Sequence, residues 1–149
     1  FGVLKEIYGQ IEDKVYRNSR PAYTFLLGDY NLSLDDIGVK IPIGAENGAV
    51  GFAVESQLRA DRDGTVKTVC TVQDQPSTLR AKSRSDPDQP TFGFANNYDH
   101  FTYDKELRDS LSLSCQRVNT VARYWNNDFD LHRKEFSDHI PVKMEVEFK

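Results

Sequence analysis

Three short clusters carry the carboxylate, amide and imidazole groups that hold cations, orient water and move protons. They are Gly28-Asp29-Tyr30-Asn31, Tyr98-Asp99-His100 and Ser137-Asp138-His139. A carboxylate at the end of a strand can hold a cation or take a proton, and the ends of strands are where α/β sites usually lie. An amide two residues further on, such as that of Asn31, can hold a phosphate oxygen or a water. These residue types could therefore bind a cation, take up a proton and orient a phosphate oxygen or a water.

Each cluster taken alone also has a simpler interpretation. Asp29 and Asn31 are favoured turn formers, so by themselves they predict a turn rather than a site. Asp99 lies in a predicted aromatic strand, where a carboxylate is costly unless it is paired, so we expect it to have a hydrogen-bonded partner. That partner could be a backbone N–H as readily as a catalytic group. His100 points away from Asp99 by strand alternation and is interpreted as an ordinary surface or packing histidine.

The third cluster places an aspartate directly before a histidine at the start of a predicted strand. Adjacent Asp138 and His139 could serve as one metal ligand and one phosphate-facing imidazole. Such an imidazole needs a carboxylate that holds its tautomer or stabilises its charged form, and Asp99 is the natural candidate. The alternative is an Asp-His turn that leads into a strand.

The elements that must position these clusters follow from hydrophobic periodicity. Apolar residues at helical spacing predict an amphipathic helix over 3–17, and an apolar run predicts a buried strand right after it. Alternation of apolar and polar residues predicts further strands, and aromatic content predicts one more. The predicted strands are Tyr23–Leu27, Val66–Val72, Asn97–Tyr103 and Ile140–Phe148.

The remaining segments are less regular. Glycines and Pro42 predict a turn-rich segment over 29–51, and three prolines predict a long surface loop over 73–92. Residues 105–127 are ambiguous, with a short helix near Trp125 as one interpretation. The loop carries Arg80, Lys82 and Arg84, for which a solvated loop is favoured over a contact with phosphate.

Composition limits the classes of protein that fit. The 149 residues are 38% hydrophobic and 28% charged, which suits one folded domain. A net charge of −4 argues against a highly basic, sequence-independent nucleic-acid coat protein. No apolar run is long enough for a membrane helix and no signal peptide is recognisable, so the compartment stays open. Cys70 and Cys115 could form one bridge or stay reduced.

Taken in order, the three clusters resemble the endonuclease/exonuclease/phosphatase superfamily, whose best-known members are DNase I-like and apurinic-site nucleases. The most specific part is the run from Ser137 to Val142 before the last strand. Residues 38–92 match nothing in the family. The resemblance implies an α/β (α+β) fold, a DNase I-like four-layer sandwich with mostly antiparallel sheets and flanking helices.

The resemblance also implies a role for each candidate residue, with Mg²⁺ or Mn²⁺ as the cofactor. Asp29 would position or deprotonate the attacking water, and Asn31 would orient the phosphate or that water. Asp138 would bind the metal. His139 would contact the scissile phosphate, and Asp99 would hold His139. A phosphoryl transition state needs these contributions, because negative charge builds on its oxygens.

Family members are longer than this chain. Their first half supplies an Asn, a metal-binding Glu and a His or Tyr, none of which has a counterpart in residues 1–149. We therefore expect 1–149 to be the C-terminal half of a single domain, with the N-terminal half as a covalent or associated partner. The chain by itself is expected to be inactive.

The predicted function is that of a divalent-metal-dependent phosphoester hydrolase, a nuclease that cleaves the phosphodiester bonds of nucleic acid. One alternative is a phosphatase or phospholipase of the same superfamily, acting on an inositol phosphate or a sphingolipid. Another is a non-catalytic binding module that retains the fold. Loss of Asp29, Asn31, Asp138 or His139 would indicate such a module, and all four are present.

Overall fold

The computed structural model describes position 10 and residues 24–44, 50–59, 66–81 and 93–149. These residues form a mixed α+β structure in which antiparallel strands predominate and the helices are few and short. The predicted amphipathic helix over 3–17 lies outside them, apart from position 10, and so does the 82–92 part of the predicted loop. None of the described helices is long and apolar enough to cross a membrane.

A five-stranded sheet makes up the larger part of the described structure. Neighbouring strands are antiparallel, in the spatial order β1-β5-β4-β3-β2. The prediction of a strand over 66–72 is confirmed, and the other two strands predicted in this region lie within two residues of β1 and β5. The strands are β1 (Phe25–Asp29), β2 (Lys40–Gly44), β3 (Val50–Arg59), β4 (Val66–Val72) and β5 (Asp99–Asp104).

Strand β2 lies inside the segment that was predicted to be turn-rich, and for β2 that prediction was wrong. Pro42 lies opposite Phe52 of β3. A proline is tolerated there because, among the described strands, β2 is the last of the sheet and has a partner on one side only. Pairing along β3 therefore outweighs the low strand propensity of proline and glycine in this segment.

A second, two-stranded sheet packs on the first. It consists of β6 (Leu111–Arg117) and β7 (Val142–Phe148), which pair antiparallel along their whole length. Strand β7 alternates between half-buried apolar and exposed charged residues, as the predicted strand over 140–148 required. Strand β6 and the 3₁₀-helix before it (Lys105–Ser110) come from the segment that was ambiguous in sequence.

The main core lies between the two sheets. Ala53, Cys70, Val72, Phe101 and Tyr103 are buried on one face of the larger sheet. The inner side chains of β6 and β7 cover them, with Leu113, Cys115, Val142 and Met144 among the contacts. Full burial of a large apolar side chain contributes about 1.5–3 kcal/mol, so this face is the main source of stability for the strand ends described below.

Three short helices complete the described structure: α1 (Leu34–Ile37), α2 (Thr120–Tyr124) and α3 (Phe129–Glu135). Asn119 and Asp128 cap α2 and α3 by accepting hydrogen bonds from backbone N–H groups of their first turns.

A smaller core forms where Leu79, Val121 and Ile140 meet. Ser77, Thr78 and Leu79 are buried, so the prediction of a surface loop was wrong for this part of 73–92.

Candidate active site

Strand pairing brings the first two sequence clusters together. Strand β1 ends at Asp29 and β5 begins at Asp99, and these two residues lie directly opposite each other in the antiparallel register. Residues opposite each other in such a pair project from the same face of the sheet. Both carboxylates therefore lie at one edge of the larger sheet, on the face that the β6–β7 sheet covers further along.

The third cluster reaches this edge through the buried segment 77–79. The N–H of Leu79 donates to the carbonyl of Asp138 at 2.8 Å, and the N–H of Ile140 donates to the carbonyl of Ser77 at 2.6 Å. These bonds make Thr78 and His139 opposite partners in a short antiparallel bridge. The hydroxyl of Ser77 also accepts from the N–H of Asp99 at 3.2 Å. One serine thus links the start of β5 to the segment that carries His139.

His139 lies between the two opposed carboxylates. Its Nδ1 is 2.9 Å from Asp99 Oδ2, and its Nε2 is 3.6 Å from Asp29 Oδ2. A carboxylate can only accept, so Nδ1 carries the proton and donates it to Asp99. The 3.6 Å separation is too long for a hydrogen bond, which leaves Nε2 able to contact another group. The contact expected between Asp99 and His139 is present.

The surrounding charges change the acidity of His139. Partial burial lowers the pKa of His139, whereas the hydrogen bond to Asp99 and the negative charges of Asp99, Asp29 and Asp138 raise it. The raising effects together prevail, and the pKa lies above the ordinary histidine value. The imidazolium form is therefore favoured at a higher pH than for a free histidine.

Asn31 lies in the turn that follows β1. Its backbone is in the left-handed region, with φ of 52°, which asparagine tolerates better than most residues. Its N–H donates to Asp29 Oδ1 at 2.8 Å, so the turn fixes one oxygen of that carboxylate. The turn that Asp29 and Asn31 predict by themselves is therefore present, and it adjoins the candidate site. The Asn31 side chain has no hydrogen-bond partner within the described part of the chain.

Asp138 directly precedes His139 in the chain, and its side chain faces Arg133. Its side chain is 56% exposed, and Oδ2 is 3.6 Å from an Nη atom of Arg133. Its charge is close enough to raise the pKa of His139. Within the described ranges, no three His, Cys, Asp or Glu side chains are grouped so that they could hold a metal ion by themselves.

Two residues that the sequence left without a role support this arrangement. Gln73 is buried with φ of 89°, and its side-chain amide donates to the carbonyl of Asp99 at 2.9 Å. His100 is fully buried, with Nδ1 3.0 Å from the carbonyl of Gln73 and Nε2 2.7 Å from the carbonyl of Leu32. His100 thus joins the end of β4 to the loop that follows Asn31.

Sequence reasoning placed His100 on the face away from Asp99, but no local signal marks it as a link between loops. Its partners are backbone carbonyls, and sequence alone does not show which carbonyls a side chain will meet. The sequence likewise gives no sign of the positive φ of Gln73, because glutamine is not a residue that usually marks such a turn.

The two cysteines are free thiols rather than a disulfide. Cys70 is buried against the main core, and burial raises the pKa of Cys115 to about 12. Both thiols are therefore protonated at neutral pH, and neither belongs to the site.

Comparison with known proteins gave no relative for this chain: no family model, no curated protein and no solved structure matches it. The side chains and their geometry are therefore the basis for assigning a function.

Proposed function

We propose that this protein is a divalent-metal-dependent phosphoester hydrolase, a nuclease that cleaves phosphodiester bonds of nucleic acid. The observation that carries the proposal is the position of His139 between Asp99 and Asp29. An imidazole that is oriented by one carboxylate, has a raised pKa and faces a second carboxylate is suited to an anionic substrate that reacts with water.

Each group has a chemical role under this proposal. Asp99 orients the ring and stabilises its positive charge through Nδ1, so that Nε2 can donate to a phosphate oxygen. Asp29 is 3.6 Å from that nitrogen, so its carboxylate could orient or deprotonate a water that lies beside both groups. Asn31 lies in the same turn and would hold the phosphate or the water through its side-chain amide.

Asp138 fits the proposed Mg²⁺ or Mn²⁺ as one ligand of an incomplete set. Its carboxylate is a hard oxygen donor and its side chain is more than half exposed. Mg²⁺ commonly binds one or two protein carboxylates and keeps water and substrate phosphates as its other ligands. When bound, the ion would offset the negative charge that builds on the phosphate oxygens.

We also propose that the two packed sheets are the C-terminal half of a DNase I-like four-layer sandwich. The support is the packing of the β6–β7 sheet on one face of the five-stranded sheet, with a core between them. A two-stranded sheet offers open edges to which strands of an N-terminal half could pair.

The experiment compares two substrates in one assay. The protein, expressed from its complete reading frame so that any segment ahead of Phe1 is present, is incubated with plasmid DNA and with a soluble inositol phosphate. We expect nicking of the DNA in Mg²⁺, its loss in EDTA, and no release of phosphate from the inositol compound. Release of phosphate without nicking would replace the nuclease by a phosphatase of the same chemistry. Inertness toward both substrates would overturn the proposal.

A further inference from the structure

A further histidine, His132 of α3, is fully buried and takes no part in the mechanism above. Trp125 and Phe136 both contact its ring in edge arrangements, with ring centroids 5.7 Å and 5.1 Å away. A buried polar side chain is costly unless its donors and acceptors are satisfied. Both ring nitrogens of His132 have partners, and one of these partners belongs to the third sequence cluster.

The ring of His132 links α2 to the residue that precedes Asp138. Its Nδ1 is 2.9 Å from the carbonyl oxygen of Ser137, and its Nε2 is 2.9 Å from Oγ1 of Thr120. A carbonyl oxygen can only accept, so Nδ1 carries the proton. In the neutral ring, Nε2 then accepts a hydrogen bond from the hydroxyl of Thr120. One imidazole thus uses its donor on Ser137 and its acceptor on Thr120.

Ser137 connects His132 to His139. The N–H of Ser137 donates to the carbonyl of His132 at 3.1 Å, so both backbone groups of Ser137 are bonded to the same histidine. The hydroxyl of Ser137 accepts a hydrogen bond from the N–H of His139 at 3.0 Å. The backbone of His139 is therefore joined to the buried ring through one serine.

The next residue of α3 also contacts this segment. One Nη of Arg133 donates to the carbonyl of Leu79 at 2.9 Å, and the other is 3.6 Å from Asp138 Oδ2. Leu79 in turn donates its N–H to the carbonyl of Asp138 at 2.8 Å. Two adjacent residues of α3 thus contact the two residues that precede His139.

We propose that His132 is a positioning residue, which fixes the backbone of His139 through Ser137 and so keeps Nε2 of His139 in place for the phosphate. This role rests on the proposed hydrolase function. Asp99 orients the ring of His139, but a bond to a ring does not by itself fix the main chain that carries it. A fixed backbone matters for turnover, because misplacement of a reacting group by about 1 Å can cost about 100-fold in rate.

Two conservative substitutions separate a positioning role from a merely structural one. In His132→Asn, the amide nitrogen can take the place of Nδ1 and donate to Ser137. In His132→Gln, the amide reaches the place of Nε2 near Thr120, and the donor to Ser137 is lost. Both variants remove the same ring from the same buried site, so urea unfolding should show similar losses of stability. The matched control is Thr120→Val, which removes the partner of Nε2 and leaves the bond to Ser137.

The kinetic test uses the protein from its complete reading frame, with bis(4-nitrophenyl) phosphate as substrate in Mg²⁺. We expect His132→Gln to lower kcat about tenfold or more and to leave KM unchanged, because His132 does not touch the substrate. His132→Asn and Thr120→Val should keep kcat within about twofold of the unsubstituted protein. Equal kcat values for His132→Asn and His132→Gln would overturn the positioning role, and so would a change in KM alone.

Ser137→Ala tests whether the effect passes through the serine hydroxyl. This substitution removes the acceptor for the N–H of His139 and keeps the backbone of Ser137. The double variant His132→Gln/Ser137→Ala should lose no more kcat than His132→Gln, because both substitutions break the same connection. Losses that multiply in the double variant would contradict this route.

Amide hydrogen exchange of His139 in metal-free buffer tests the position without the reaction. Exchange should be about tenfold faster in His132→Gln than in His132→Asn, although the two variants are similarly stable. Equal exchange rates would overturn the positioning role even in an active enzyme. Failure of the unsubstituted protein to hydrolyse the substrate would overturn the hydrolase proposal, while the exchange rates still decide whether His132 holds His139.

Discussion

The two ends of strand β5 carry opposite arrangements of charge on the same face of the sheet. At its start, the carboxylates of Asp29 and Asp99 share the single imidazole of His139. Beyond its other end, the single carboxylate of Glu55 is shared by Lys105 at 2.7 Å and Arg108 at 3.4 Å. One cluster has two acids for one titratable base, and the other has two permanent cations for one acid.

The difference separates a cluster that can do chemistry from one that stabilises the fold. Glu55 is paired with a lysine and an arginine, and this ion-pair cluster contains no histidine that could transfer a proton. At the other end, the imidazole can gain or lose a proton and the carboxylates outnumber it. That excess of negative charge favours a cation or an imidazolium there.

The largest effect should come from removing the imidazole. His139→Ala and Asp29→Asn are each expected to lower kcat by about 10³-fold or more, because proton transfer and charge stabilisation at phosphate are lost. The measurement is Mg²⁺-dependent nicking of plasmid DNA, with circular dichroism to show that the fold is kept. Near-normal turnover in His139→Ala would contradict the assigned role.

A smaller effect on kcat is expected from replacing the carboxylate that orients His139. Asp99→Asn should lower kcat by about 10–100-fold, since it disturbs the ring without removing it. The pKa of His139 should also fall, because the bond to Asp99 and the charge of Asp99 both raise it. An NMR titration of the ring in metal-free buffer measures that shift. A merely structural Asp99 would lower stability and leave the titration of the ring where it was.

A substitution at the opposite end of β5 should lower the free energy of unfolding and leave turnover unchanged. Glu55→Gln removes both ion pairs, and because Lys105 and Arg108 are each more than a third exposed, the expected loss is only about 0.5–1 kcal/mol. Urea unfolding measures the loss. Turnover of this variant should equal that of the unsubstituted protein, and a large drop in kcat would mean that the two clusters are coupled.

The smallest expected effect is a dependence of stability on pH. The pKa of His139 is raised by folding, so the contribution of the imidazolium to stability is complete below the ordinary histidine pKa of about 6.5 and is lost as pH rises through the higher folded value. Urea midpoints in metal-free buffer across this range should decline slightly with pH. Asp99→Asn should flatten the decline, whereas Glu55→Gln should leave its shape unchanged.

Local pattern was sufficient for the strands whose residues alternate or form apolar runs. Strand β4 has the predicted bounds, and β7 shows the alternation that was expected of it. Predictions from the local hydrophobic pattern were wrong where pairing with a distant strand decided the conformation. Strand β2 contains Pro42 and ends at a glycine, and its extended form depends on β3. Ser77, Thr78 and Leu79 follow Pro76 in a polar segment, yet bridges to 139 and 94 bury them.

For the candidate site too, local sequence predicted one part of the arrangement and tertiary contacts decided the rest. Residue types and their positions at predicted strand ends were enough to single out Asp29, Asn31, Asp99, Asp138 and His139, because carboxylates, amides and imidazoles at strand ends are chemically conspicuous. Antiparallel register then set Asp29 opposite Asp99, and the bonds of segment 77–79 brought His139 between them. Gln73, His100 and Arg133 take their positions from contacts with backbone carbonyls far away in sequence. No local pattern encodes those contacts, because a carbonyl is the same chemical group in every residue.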